Sequence, residues 1–184
     1  MRVLGITKYF IGFFVGLMAS VVAAKSAGPM SIDVTGVGSI SINAEVNSIY
    51  KSLDHRQTKL IDLFREEMFD PSIEIYDGNS SGGKPSMRVN VACKDSKFVI
   101  DGISVLSAKI KLANTIGVGS TLADIRKAYK KLEIIHEEGV TVAVPEGIKI
   151  SFTLEESKIP KAYYDSGDDK SLPSDLKITA VYVH

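Results

Sequence analysis

The sequence predicts an α+β fold: a mostly antiparallel sheet of about six strands with helices packed on one face. Three observations carry this expectation. Gly36-Val37-Gly38-Ser39 recurs as Gly117-Val118-Gly119-Ser120, and helical apolar spacing follows each copy. Several later segments alternate apolar and polar residues, as strands with one wet face do. The chain therefore reads as two helix–strand–strand–strand halves, residues 36–107 and 116–184, sharing one core as a single domain over residues 25–184.

Residues 1–24 precede that domain and read as an export signal. Arg2 and Lys8 lie in an acid-free start, Tyr9 to Ala24 are apolar, and Val22-Ala23-Ala24 offers small residues for cleavage before Lys25. This is the order of a secretory signal, and the run is shorter than the roughly 20 residues that cross a bilayer. Cleavage leaves no stable membrane anchor.

In the first half, Asn43 is placed to cap a helix with Val46, Ile49, Tyr50 and Leu53 on its buried stripe. A second helix is predicted near 58–68, with Leu60, Ile61, Phe64 and Met68 on one side and Asp70-Pro71 as its stop. Strands follow at Ile73–Ile75, at Met87–Cys93 and at 98–106, where the phase slips near Asp101-Gly102 and predicts a bulge. Cys93 shares the phase of Met87, Val89 and Val91 and is expected to be buried. In the second half Thr121 caps a helix with Asp124 as its capping-box partner, and Leu122, Ile125, Ala128, Tyr129 and Leu132 form the stripe. Lys130 and Lys131 fall in its last turn. Strands are expected at 140–144, 148–154 and 178–183, the first two joined by Pro145-Glu146-Gly147.

The glycine-hydrophobic-glycine entry at Gly36-Val37-Gly38, the Ile116–Asp124 segment and the closing strand after Pro173 resemble the sigma-E-regulated envelope lipoprotein family of bacteria, which has no assigned activity. Glycine, Ser/Thr, a short helix and antiparallel strands are also similar to the repeats of beta-lactamase inhibitor proteins and small outer-membrane assembly lipoproteins. The resemblance implies a binding module in the periplasm. No cysteine stands just after the apolar run, the single one being Cys93 far downstream, so a lipid anchor is not implied.

Charge and composition narrow the function. Twenty-two basic and twenty-two acidic residues balance, which excludes the basic excess of a nucleic-acid binder. A single cysteine excludes an internal disulfide. Gly117–Thr121 lacks the Gly-Lys-Ser/Thr ending of a phosphate loop and reads as a strand-to-helix turn. Arg126, Lys127, Lys130 and Lys131 read as a solvated basic face. His55, His136 and His184 lack metal-ligand spacing. His55 has Asp54, Ser48 and Ser52 nearby, but no nucleophile elbow accompanies them. Asp165, Asp168 and Asp169 lie around Gly167 without the spacing of a calcium loop. No cofactor is expected. The connection 155–177 has no periodicity and exceeds the usual loop length of about 15 residues. It carries Tyr163 and Tyr164, an exposed-looking pair, rimmed by Asp165, Asp168 and Asp169. These residues are the candidate binding site, facing an envelope protein partner. The competing reading is a small secreted hydrolase or metal-dependent enzyme.

Overall fold

The computed structural model describes residues 30–65, 68–78 and 83–184, with backbone alone for 62–65 and 68–70. The predicted export signal lies outside the described residues, as do residues 79–82 of the connection 77–86. No helix among the described residues is long and apolar enough to cross a membrane.

Among the described residues, twelve strands form two sheets. The small sheet comes mainly from the start of the described chain: β1 (Ser31–Asp33), β2 (Gly36–Val37) and β3 (Ile40–Ser41), with β8 (Lys111–Leu112) added parallel to β1. The large sheet is an antiparallel array in the order β4-β5-β6-β7-β12-β11-β10-β9. Its first four strands are β4 (Thr58–Arg65), β5 (Met68–Ile75), β6 (Met87–Lys94) and β7 (Lys97–Val105). The others are β9 (Leu132–Glu137), β10 (Val140–Pro145), β11 (Ile150–Leu154) and β12 (Ile178–Val183). The sheet is thus two meanders joined where β7 pairs antiparallel with β12, Val105 opposite Val181 and Ile103 opposite Val183.

This corrects the predicted α+β class. The protein is mostly β, with eight strands in the main sheet rather than about six. The α-helices among the described residues, α1 (Asn47–Ser52), α2 (Leu122–Ala128) and α3 (Lys161–Ser166), have 6, 7 and 6 residues. Helices that short cannot cover such a sheet. Ile32, Val37 and Ile40 of the small sheet and Ile159, Leu172 and Leu176 of the connections fill the same core. Each half contributes four strands to the large sheet, not three.

The extra strand in the first half is the segment expected to be a helix. Residues 58–75 form a hairpin, with Thr58 opposite Ile75 and Arg65 opposite Met68. Leu60, Ile61, Phe64 and Met68 have helical spacing, but cross-strand pairing overrides it. Pro71 does not stop an element; it sits inside β5, opposite Asp62, just before the ladder to β6 begins at Ser72 and Asn90. A proline is tolerated where a strand has no neighbour to receive its N–H. In the second half, Leu132 opens β9 instead of ending the helix, and Lys130 and Lys131 lie beyond α2.

One row of side chains shows how the core is laid across the large sheet. Ile75, Met87, Val105, Val181, Phe152 and Ala143 are successive cross-strand partners, each essentially inaccessible. The predicted bulge is present, as the β6–β7 register shifts between Asn90 and Val91. Gly102, beside it, allows the Tyr182 ring to lie against the sheet; a Cβ there would fall within 2.1 Å of the Tyr182 hydroxyl. Burial fades toward the β6–β7 turn, so Cys93 is exposed, contrary to expectation, as is its partner Phe98.

Candidate functional site

The connection 155–177 is structured rather than an unpatterned loop. Glu156–Lys158 form a 3-10 turn, α3 follows Pro160, and Gly167 ends α3 in the left-handed conformation, φ 65°. The Gly167 N–H donates to the Tyr163 carbonyl at 2.7 Å. Asp168 then caps a second 3-10 turn, Asp169–Ser171, accepting from the Lys170 N–H. Ile159, Tyr163, Leu172 and Leu176 are buried and tie the segment to the core.

The structure separates the two tyrosines. Tyr163 is 5% exposed and belongs to the core, so the exposed-looking pair is one exposed ring backed by a buried one. Burial, with Asp169 and Glu156 nearby, raises its hydroxyl pKa. Tyr164 is 45% exposed and stands edge-on to Tyr163 at 5.8 Å. Its hydroxyl donates to Glu156 Oε1, which pushes its pKa up to about 12. Asp165 and Asp168 are exposed beside it, the Asp168 carboxylate already serving as a cap. Asp169 is half-buried; burial raises its carboxyl pKa, and Arg126 opposes the shift. Arg126 also donates to the Asp169 carbonyl at 2.8 Å. Among the described residues, no group of three or more His, Cys, Asp or Glu side chains is placed to hold a metal ion.

Sequence reasoning missed the residues that hold Tyr164. Glu156 Oε2 accepts from the Thr141 N–H at 3.0 Å, and Glu156 Oε1 lies 3.5 Å from His136 Nδ1. His136 Nδ1 is 2.8 Å from Thr141 Oγ1, and its ring meets Tyr164 edge-on at 4.8 Å. One carboxylate thus clasps α3 to β9 and β10. No spacing reveals this, because the four residues come from four elements. The Glu138-Gly139 turn is the one available signal, since it sets His136 opposite Thr141.

The other sequence candidates resolve into structural roles. The main-chain N–H groups around the Gly117–Thr121 turn are committed: Gly119 donates to Ile178, Ser120 to Gly117, Leu122 to Leu176 and Ala123 to Ser174. Thr121 and Asp124 form the predicted capping box. Asn43 is not a cap; it has a positive φ of 63°, and its N–H donates to the Ile100 carbonyl. Asp54 does not face His55 as in a triad. It pairs with Arg56 at 2.7 Å, and that contact lowers its pKa to about 2. His55 instead stacks on Tyr50 at 5.5 Å.

A second surface lies at the other end of the large sheet. Helix α1 is fastened to β7: the Val46 N–H donates to the Phe98 carbonyl at 3.0 Å, and Glu45 pairs with Lys97 at 2.6 Å. Between α1 and the β4–β5 end of the sheet lies a groove of about 390 Å³ walled by Val46, Tyr50, Leu60, Ile73, Val91 and Phe98. Leu60 and Phe98 are 59% and 61% exposed, the largest apolar exposures among the described residues.

No protein-family model matches the sequence, and no curated protein matches it. The fold has a solved counterpart. The crystal structure of the uncharacterized protein yfeY from Escherichia coli is similar to this chain, with a TM-score of 0.58 and 17% sequence identity. The match covers 85% of this chain and 99% of that one. At this identity the likeness to yfeY shows a shared fold. It fits the sequence resemblance at its coarse level, a bacterial protein without an assigned function.

Proposed function

We propose that this protein is a non-catalytic binding module of the bacterial envelope, exported through residues 1–24 and acting on another envelope protein. The observation that carries the reading is the groove beside α1, where Leu60 and Phe98 stand more than half exposed. Large apolar side chains gathered at one concave surface are the usual mark of a protein-recognition site. A second contact surface, favoured by the exposure of Tyr164, is the α3 region with Tyr164 in front, Tyr163 behind it and Asp165, Asp168 and Asp169 at its rim. Tyrosine supplies large contact area at low entropic cost.

The competing enzyme reading would draw on His136 and Glu156. That carboxylate is engaged by the Tyr164 hydroxyl on one oxygen and the Thr141 N–H on the other, which favours a clasp over a general base. A photo-crosslinking residue in place of Phe98, used in intact cells, should capture an envelope protein, and Leu60→Lys should reduce the capture. Hydrolase activity lost in His136→Ala, with no crosslinked product, would reverse the assignment. N-terminal sequencing of the exported protein should begin at Lys25.

A further inference from the structure

The main-chain pattern of β4 specifies more than an apolar contact. The Tyr76 N–H donates to the Gln57 carbonyl at 2.8 Å, and Thr58 pairs with Ile75. In an antiparallel ladder the hydrogen-bonding residues alternate. Residues 59, 61, 63 and 65 therefore turn their N–H and C=O groups toward β5, and Leu60, Asp62 and Phe64 turn theirs outward. The Thr58 N–H is already used by the His55 carbonyl. Among the described residues β4 is the edge of the sheet, so the outward groups of Leu60, Asp62 and Phe64 form an unfilled ladder. Leu60 unites the two features. Its main chain faces that ladder, and its side chain forms a wall of the groove.

We propose that an extended peptide segment of a partner protein adds to β4 as a further strand, placing an apolar side chain opposite Leu60 in the groove beside α1. This rests on the binding-module reading and names the chemistry of its partner. Side chains directly opposite one another on paired strands share a face. The partner residue hydrogen-bonded to Leu60 thus points toward Phe98 and Tyr50, and its neighbours two positions away follow the same face. The partner is a strand-forming segment with apolar residues at alternate positions and no proline at the residues that bond to β4.

Selection of a displayed random-peptide library on the immobilised protein tests this. The enriched peptides should alternate apolar residues, and their binding should shift the amide resonances of Leu60, Asp62 and Phe64. Leu60→Lys should weaken binding at least tenfold, and Phe98→Ser should weaken it as well; both sites are exposed, so the fold is retained. N-methylation of the peptide backbone should abolish binding at one set of alternate positions and be tolerated at the other. Peptides that instead perturb α3 around Tyr164 and ignore Leu60→Lys would overturn the strand-addition proposal while leaving the binding-module reading standing. A selection that enriches no binder would count against both.

Discussion

Tyr163 and Tyr164 are adjacent in sequence and opposite in consequence. Tyr163→Ala should cost about 3 kcal/mol or more, because a buried aromatic leaves a cavity its neighbours cannot fill. Tyr164→Ala gives up one hydrogen bond and the edge-on contacts with His136 and Tyr163 on a largely exposed ring, and should cost less, about 1–2 kcal/mol. Urea denaturation of the two variants measures the contrast, and equal losses would contradict the separation. Glu74 gives a second test at this scale. It is buried on the sheet face opposite the core, accepts from the Tyr76 hydroxyl at 2.6 Å and pairs with Arg88 at 2.8 Å. The Tyr76 hydrogen bond, and the hydrogen bond and charge of Arg88, lower its carboxyl pKa against the opposing effect of burial. A carboxylate whose pKa is depressed by folding stabilises the fold above its unfolded pKa, about 4.3, and loses that contribution as pH falls through the folded value. Stability should therefore decline below the ordinary glutamate range, and Glu74→Gln should be least stable relative to wild type near neutrality, the gap closing in acid. Denaturation midpoints across pH read this directly.

At the scale of the element, what the sequence revealed depended on whether local chemistry or a distant partner decided the structure. Helix α2 was legible because its start is local: Thr121 and Asp124 satisfy each other's N–H groups without help from the rest of the chain. Thr121→Ala should cost about 1 kcal/mol, as loss of an N-cap generally does, measurable as a lowered melting temperature. Strands β6, β10, β11 and β12 were legible from their alternation. Strand β4 was not, because Leu60, Ile61, Phe64 and Met68 fit a helix as well as a strand, and the choice is made by pairing with β5. Strand β9 was hidden because Leu132-Glu133-Ile134-Ile135 does not alternate cleanly and its first residue continues the α2 stripe. The tyrosine-bearing segment was legible as unusual in length, while its order was not, since Ile159, Tyr163, Leu172 and Leu176 reach the core from irregular spacings. The groove beside α1 was invisible for the same reason as β4: it exists only because a strand lies where a helix was expected.

For the whole molecule, the row from Ile75 through Met87, Val105, Val181 and Phe152 to Ala143 crosses from one meander to the other without a break in burial. Unfolding should accordingly be a single transition in calorimetry, and limited proteolysis between Ser107 and Ile116 should not release two stable fragments. Two resolved transitions would show that the meanders are independent. The pairing of β7 with β12 has a further consequence. These are the last strands of the two halves, and they run antiparallel. An antiparallel seam is the geometry that two copies of one strand can make with each other through a two-fold axis. A single helix-plus-meander unit would leave that strand open and could close it against an identical unit, rebuilding an eight-stranded sheet as a homodimer. The single chain thus has the architecture of two such units held side by side: one ends the sheet at the β4 edge, and the other carries the tyrosine-bearing segment between its last two strands.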